Sequence, residues 1–192
     1  MECCPGESIY ARHNGTPRLM PHAETDDLYR TAVHEAGHAV FARALGIEAG
    51  GLTIVPEIEA SCAGFCEIAP PWLTYEKWDE RGRYREMRTV HIGLALVFMG
   101  GVAAEAAVLG SIGEGANDDG RRLREMLEEI AADVTGQSRV AHRLQRQAKR
   151  IAERHQAPIE RVAAALIAAK TLSKDQADDL YRGAGRGEGS PE

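Results

Sequence analysis

No apolar run follows a basic segment at the amino terminus: MECCPGESIYARHNGTPRLM has none of the layout of a secretion signal. Export is not expected, and the cytoplasm is the expected compartment. A membrane-spanning stretch is missing too. The longest apolar run, Ile92 to Ala104, holds about 13 residues where about 20 are needed, so a buried core helix is the better reading. Cysteine is scarce, as Cys3 and Cys4 near the start and Cys62 and Cys66 in SCAGFC. Without an export signal a disulfide framework is not expected, and without CxxC spacing the four thiols do not read as a metal site. Basic charge is in deficit, and a net charge of -6 argues against a general nucleic-acid binder. The glycine-rich GSIGEGANDDG lacks the lysine and the GxxxxGK[ST] order of a phosphate-binding loop, so no nucleotide site is expected. No internal repeat is visible.

What remains is a chain of 192 residues, suited to one domain with tails. Residues 1–24, rich in Pro, Gly and charge without periodicity, read as a flexible tail; 25–183 read as the folded unit and 184–192 as a second tail. A helix is expected from about Asp26 to Leu45, stopped by Gly46. GGLTIVP and AGFCEI read as short strands. PPWLTYEKWDERGRY, which holds Trp72 and Trp78 among many charges, reads as a connecting loop or flap. A long helix follows from about Arg85 to Leu109, whose Gly93, Gly100 and Gly101 would let another backbone, the first helix above all, come close. Helices are expected at about 118–135 and 138–156. The second carries Arg139, Arg143, Arg146, Arg150 and Arg154 as a basic stripe, read as a solvated outer face. PIERVAAALIAAKT is strongly helical, and Ser173 with Gln176 forms a capping box for a short helix reaching Arg182. The fold class expected is mainly α (α+β), with a small two- or three-stranded β element.

Two of only seven histidines fall four apart in TAVHEAGHAV. On a helix, positions four apart lie on one face, so His34 and His38 can aim their rings at one spot, as a metal ion requires. Glu35 lies about 100 degrees round the helix from His34, near enough to take a proton from a water at such an ion without being a ligand. Val33, Ala36, Val40 and Ala44 supply the apolar spacing of an amphipathic helix. The motif is HExxH. A catalytic zinc usually has three protein ligands, and spacing alone leaves Glu105, Glu114, Asp118, Asp119, His91 and His142 open for the third place.

AVHEAGHAV resembles the proteolytic domain of the FtsH-type AAA zinc proteases. The likeness continues in order through LTIVP, AGFCEI, MGGVAAEAAVLG, GANDD and AAKTLSKDQADDL, across about residues 26–182. The resemblance implies a compact helical, zincin-like fold, a Zn2+ cofactor, and Asp118 of the ND element as the third ligand beside His34 and His38. It also implies that Glu105, after the GG element, orients a ligand. The chain departs from the family pattern at Ala106, where a second glutamate is usual, at Asp119, where an apolar residue is usual, and at Glu57, where a basic one is. Neither the membrane segments nor the ATPase module of the family is expected within these 192 residues.

The function expected is therefore a zinc metallopeptidase acting on peptides, unfolded chains or one specific protein, ATP-independent by itself, with Glu35 as general base. The AGFCEI strand would offer an edge to an extended peptide. A homo-oligomer or a separate ATPase partner would fit the resemblance. The alternative is a non-catalytic zinc-stabilised interaction module, using the Trp72/Trp78 segment or the arginine stripe. Nucleic-acid binding through that stripe ranks behind both.

Overall fold

Small side chains on the motif helix set how closely its neighbours approach. The computed structural model describes residues 22–56, 63–82, 85–113 and 117–183, with the backbone alone for 22–25 and 117. Along these residues run α1 (His22–Leu45), β1 (Ala49–Thr53), β2 (Phe65–Ile68), α2 (Pro71–Glu80), α3 (Met87–Phe98), α4 (Gly100–Val108), α5 (Asn117–Ile130), α6 (Val134–Arg154), α7 (Gln156–Ala169), β3 (Thr171–Leu172) and α8 (Lys174–Arg182). The protein is mainly α-helical with one small antiparallel sheet in the order β2-β1-β3. Almost all of the two expected tails, and Cys3, Cys4 and Cys62, lie outside the described residues; α1 begins at His22, inside the stretch assigned to the first tail.

α1 is the central helix, packed by α3, α4, α7 and the sheet. Ala32, Val33, Ala36, Ala39, Val40, Phe41 and Ala42 are all fully buried, covering far more of the helix than the one stripe the spacing suggested. At its crossing with α4, a Cβ on Gly37 would stand 2.5 Å from the Gly100 carbonyl oxygen and 2.7 Å from Ala104 Cβ. Only glycine allows that backbone contact. The helix stops where Gly46 takes φ 70°, as a C-terminal glycine does.

β1 pairs with β2 through Leu52↔Cys66 and Thr53↔Phe65, and with β3 through Leu52↔Leu172 and Thr53↔Thr171. Leu52, Cys66 and Leu172 turn into the core, so the sheet lies with one face on the helices. The third strand falls in a stretch whose composition reads as a helix end. Lys170, at φ 66°, ends α7 and turns the chain into it.

Other departures have local causes. The tryptophan segment is a helix, not a loop: Pro70 precedes it and Pro71 opens it, where a missing N–H is harmless. Its inner face is Thr74 and Trp78, four apart and buried, while Trp72 faces solvent. Trp78 donates from Nε1 to the Gly46 carbonyl at 2.6 Å, tying α2 to the end of α1. The long helix expected at 85–109 is two, α3 and α4, bent by 41° at Met99 just before the Gly100–Gly101 pair. α6 begins earlier than expected because Asp133 caps it, accepting from the Gly136 N–H at 2.8 Å. The five arginines of α6 are all exposed, opposite its buried Leu144, Ala148 and Ala152. The Ser173–Gln176 capping box forms at the start of α8. No single helix among the described residues is long and apolar enough to cross a membrane; α3 and α4 pass only as a bent pair, with most of α3 buried in the core.

Candidate metal centre

His34 and His38 stand on one face of α1 with ring centroids 4.8 Å apart and planes crossing at 73°. Each ring is held from behind. His38 Nδ1 lies 2.8 Å from the carbonyl oxygen of Val97, at the bend between α3 and α4. A carbonyl only accepts, so Nδ1 carries the proton and donates it. His34 Nδ1 lies 2.7 Å from Glu105 Oε1, and that carboxylate is held below its usual pKa: burial opposes this, but His34, the Gly113 N–H and Arg30 prevail. An ionised carboxylate accepts as well, so His34 takes the same tautomer.

With both Nδ1 atoms committed, both Nε2 atoms turn to one oxygen. Asp119 Oδ2 lies 2.9 Å from His34 Nε2 and 3.0 Å from His38 Nε2. Two ring lone pairs facing a carboxylate oxygen repel unless a cation, proton or metal, sits among them. The titration behaviour states the same demand. Burial pulls the His34 pKa down, but hydrogen bonds to Asp119 and Glu105 carry it up to about 10. Asp119 is pushed well below the usual carboxylate range by both rings, against its own burial. One ligand atom from each of His34, His38 and Asp119 lies within 4.8 Å of the others, a group that could hold a metal ion.

Around this group the packing is tight. A Cβ on Gly101 would overlap the His34 imidazole, so the second glycine of the GG pair makes room for the ring. Glu35 is 7% exposed, and burial raises its pKa more than the neighbouring His38 and His34 lower it. Its Cγ and that of Thr31 are what a Cβ on Gly64 would meet, at 2.9 Å each, so the chain entering β2 runs directly over Glu35. Glu105, 4% exposed, accepts from His34 on one oxygen and from Arg30 and the Gly113 N–H on the other.

Asp118, expected as the third ligand, is not at this place. It points to solvent and pairs with Arg121 at 2.7 Å and Arg122 at 2.8 Å, which lower its pKa. Asp119 takes the position facing the rings. Neighbouring residues of a helix differ by about 100 degrees, so one of the two must turn away when the other faces inward. A signal for the right choice was present: Asp119 shares a face with Leu123, Leu127 and Ile130, the apolar side of α5, whereas Asp118 lies in line with Arg122 and Glu125. Of the other candidates, His142 is exposed on α6, His91 lies on α3 outside the group, and Glu114 falls outside the described residues. Sequence reasoning missed Arg30 and the Val97 carbonyl, which no motif marks.

Buried α1 thus presents two imidazoles with their Nδ1 atoms committed, and α5 a carboxylate, at one point, with a further buried acid alongside. No protein-family model matches the chain, and no curated protein matches it significantly.

Proposed function

We propose that the chain is a zinc-dependent metallopeptidase, hydrolysing peptide bonds in peptides, unfolded segments or a specific protein, with no ATP-driven step of its own. The observation that carries this reading is the convergence of His34 Nε2 and His38 Nε2 on Asp119 Oδ2, with buried Glu35 next to His34 in the same helix turn. The donor set suits zinc: two neutral imidazoles and a carboxylate are the usual protein ligands of a catalytic site. When bound, zinc acidifies water and polarises a carbonyl.

The chain's own residues have separate tasks. His34, His38 and Asp119 would hold the ion. Val97 and Glu105 fix the tautomer and direction of the two rings. Glu35 takes the proton of the attacking water on its carboxylate and passes it to the nitrogen of the leaving amine. Its burial favours this role, since a carboxylate with a raised pKa is a stronger base. β2 pairs with β1 on one side only, and among the described residues no strand lies along its other edge. An extended peptide added there would run past Glu35, because Gly64 at the head of β2 packs on that residue. A cytoplasmic setting agrees with Cys66, buried as a free thiol.

The test is incubation of the zinc-loaded protein with a labelled unfolded polypeptide. Cleavage should fall by about 10²-fold or more in Glu35→Gln while zinc content stays the same. Undiminished cleavage by that variant removes Glu35 from its role. Absence of any cleavage by zinc-loaded wild type would instead favour the interaction module.

A further inference from the structure

We propose that Arg30 is a positioning residue of this centre, clasping in one fork the Glu105 that orients His34 and the Ser111 end of the segment leading to Asp119. The inference rests on the metal centre of the proposed function and adds to it a residue that no motif marks.

Arg30 lies one helical turn before His34 on α1, so the two side chains share a face. Its Nη1 donates to Glu105 Oε2 at 2.9 Å and to the Ser111 carbonyl at 3.2 Å, and its Nη2 donates to Ser111 Oγ at 3.1 Å. Glu105 accepts on both oxygens at once, from His34 Nδ1 on Oε1 and from Arg30 and the Gly113 N–H on Oε2. That carboxylate cannot rotate to release the His34 ring without giving up its other two bonds. Ser111 and Gly113 lie just ahead of α5, whose third residue is Asp119. The clasp therefore joins the helix that supplies both imidazoles to Glu105 of α4 and to Ser111 just beyond that helix.

Charge balance at the centre also runs through Arg30. Glu35, Glu105 and Asp119 place three carboxylates around the two rings, and a bound dication leaves one negative charge unmatched. Histidines apart, Arg30 is the one side-chain cation in hydrogen-bond contact with these three acids among the described residues. Coulomb's law alone would let metal bind more tightly once Arg30 is gone. Its charge is already matched by Glu105 at contact distance, however, so the loss of ligand orientation dominates and metal binding should loosen. Lysine offers a point charge without the planar fork, so it cannot reproduce the set of bonds that two guanidinium nitrogens make to Glu105, the Ser111 carbonyl and Ser111 Oγ.

Zinc and cobalt dissociation constants, measured by chelator competition for wild type, Arg30→Met and Arg30→Lys, test this without reading activity. Arg30→Met should bind zinc about tenfold or more weakly, Arg30→Lys should fall between, and the visible absorption of the cobalt form should change in both. Thermal unfolding in chelator checks that each variant is folded; should Arg30→Met fail to fold, Arg30→Lys decides. Zinc affinity within about twofold of wild type, or tighter, in a folded variant overturns the role of Arg30 while leaving the metal centre standing. A wild type that binds neither metal overturns the centre and, with it, this role.

Discussion

Asp118 and Asp119 are adjacent in sequence and serve opposite surroundings. Asp119 turns inward, 2.9 Å from His34 Nε2, while Asp118 turns outward to the guanidinium of Arg121 at 2.7 Å. The two substitutions therefore separate cleanly. Asp119→Ala should weaken zinc binding by on the order of 100-fold, and the rise in melting temperature that zinc gives the wild type should shrink with it. Asp118→Ala should leave affinity unchanged, and stability nearly so, because its ion pairs are exposed and screened. Chelator competition and thermal unfolding with and without zinc check both.

Gly101 is the contact point between α4 and the His34 ring. Gly101→Ala should displace that imidazole, weaken zinc binding about tenfold and destabilise the metal-free fold by about 1–3 kcal/mol through overpacking. Urea denaturation in chelator measures the second effect independently of the first. An unchanged zinc affinity would mean that the ring adjusts without leaving its ligand direction.

Trp78 and Trp72 stand six apart in one helix with unlike roles. Trp78→Phe leaves the Gly46 carbonyl without its 2.6 Å donor and should destabilise by about 1–3 kcal/mol. Trp72→Ala removes an exposed ring, and its effect should stay within about 0.5 kcal/mol. Chemical denaturation curves compare them directly.

Glu48 joins the start of β1 to two other elements, bonding Arg81 beyond α2 at 2.7 Å and Lys174 of α8 at 3.3 Å. Burial alone would raise its pKa, but Lys174 and Arg81 outweigh it and hold the carboxyl below its ordinary 4.5. A depressed folded pKa means that the stabilisation is whole above about 4.5 and is lost as pH falls from there through the lower folded value. In chelator, Glu48→Gln should therefore melt below wild type at neutral pH, and the gap should close as the solution is acidified beneath pH 4.5. A gap that stays constant across that range would show that the carboxylate charge is not what stabilises.

Much of the helical frame was legible because its signals are local. Gly46 ends α1 with the positive φ that glycine permits, and Ser173 with Gln176 builds the capping box within four residues. The misreadings came where a local signal was outvoted. Charge density in PPWLTYEKWDE concealed a helix, since only its packing on α3 and on the chain between α1 and β1 shows that Thr74 and Trp78 form a buried face. The unbroken apolar run through Met99 concealed a bend, because hydrophobicity says nothing about direction at a Gly–Gly pair. β3, two residues long, exists only because β1 lies beside it.

The candidate site divides in the same way. That His34 and His38 share a face, with Glu35 beside them, was determined by the sequence alone, because helical geometry over four residues is independent of what packs around it. Which oxygen the two rings meet, and what holds each ring from behind, was decided by tertiary structure. Those partners lie 85, 71 and 59 residues away, at Asp119, Glu105 and Val97. Their positions depend on the phase of α5, the bend between α3 and α4, and the approach of α4 to Gly37, and the packing of helices against one another sets all three.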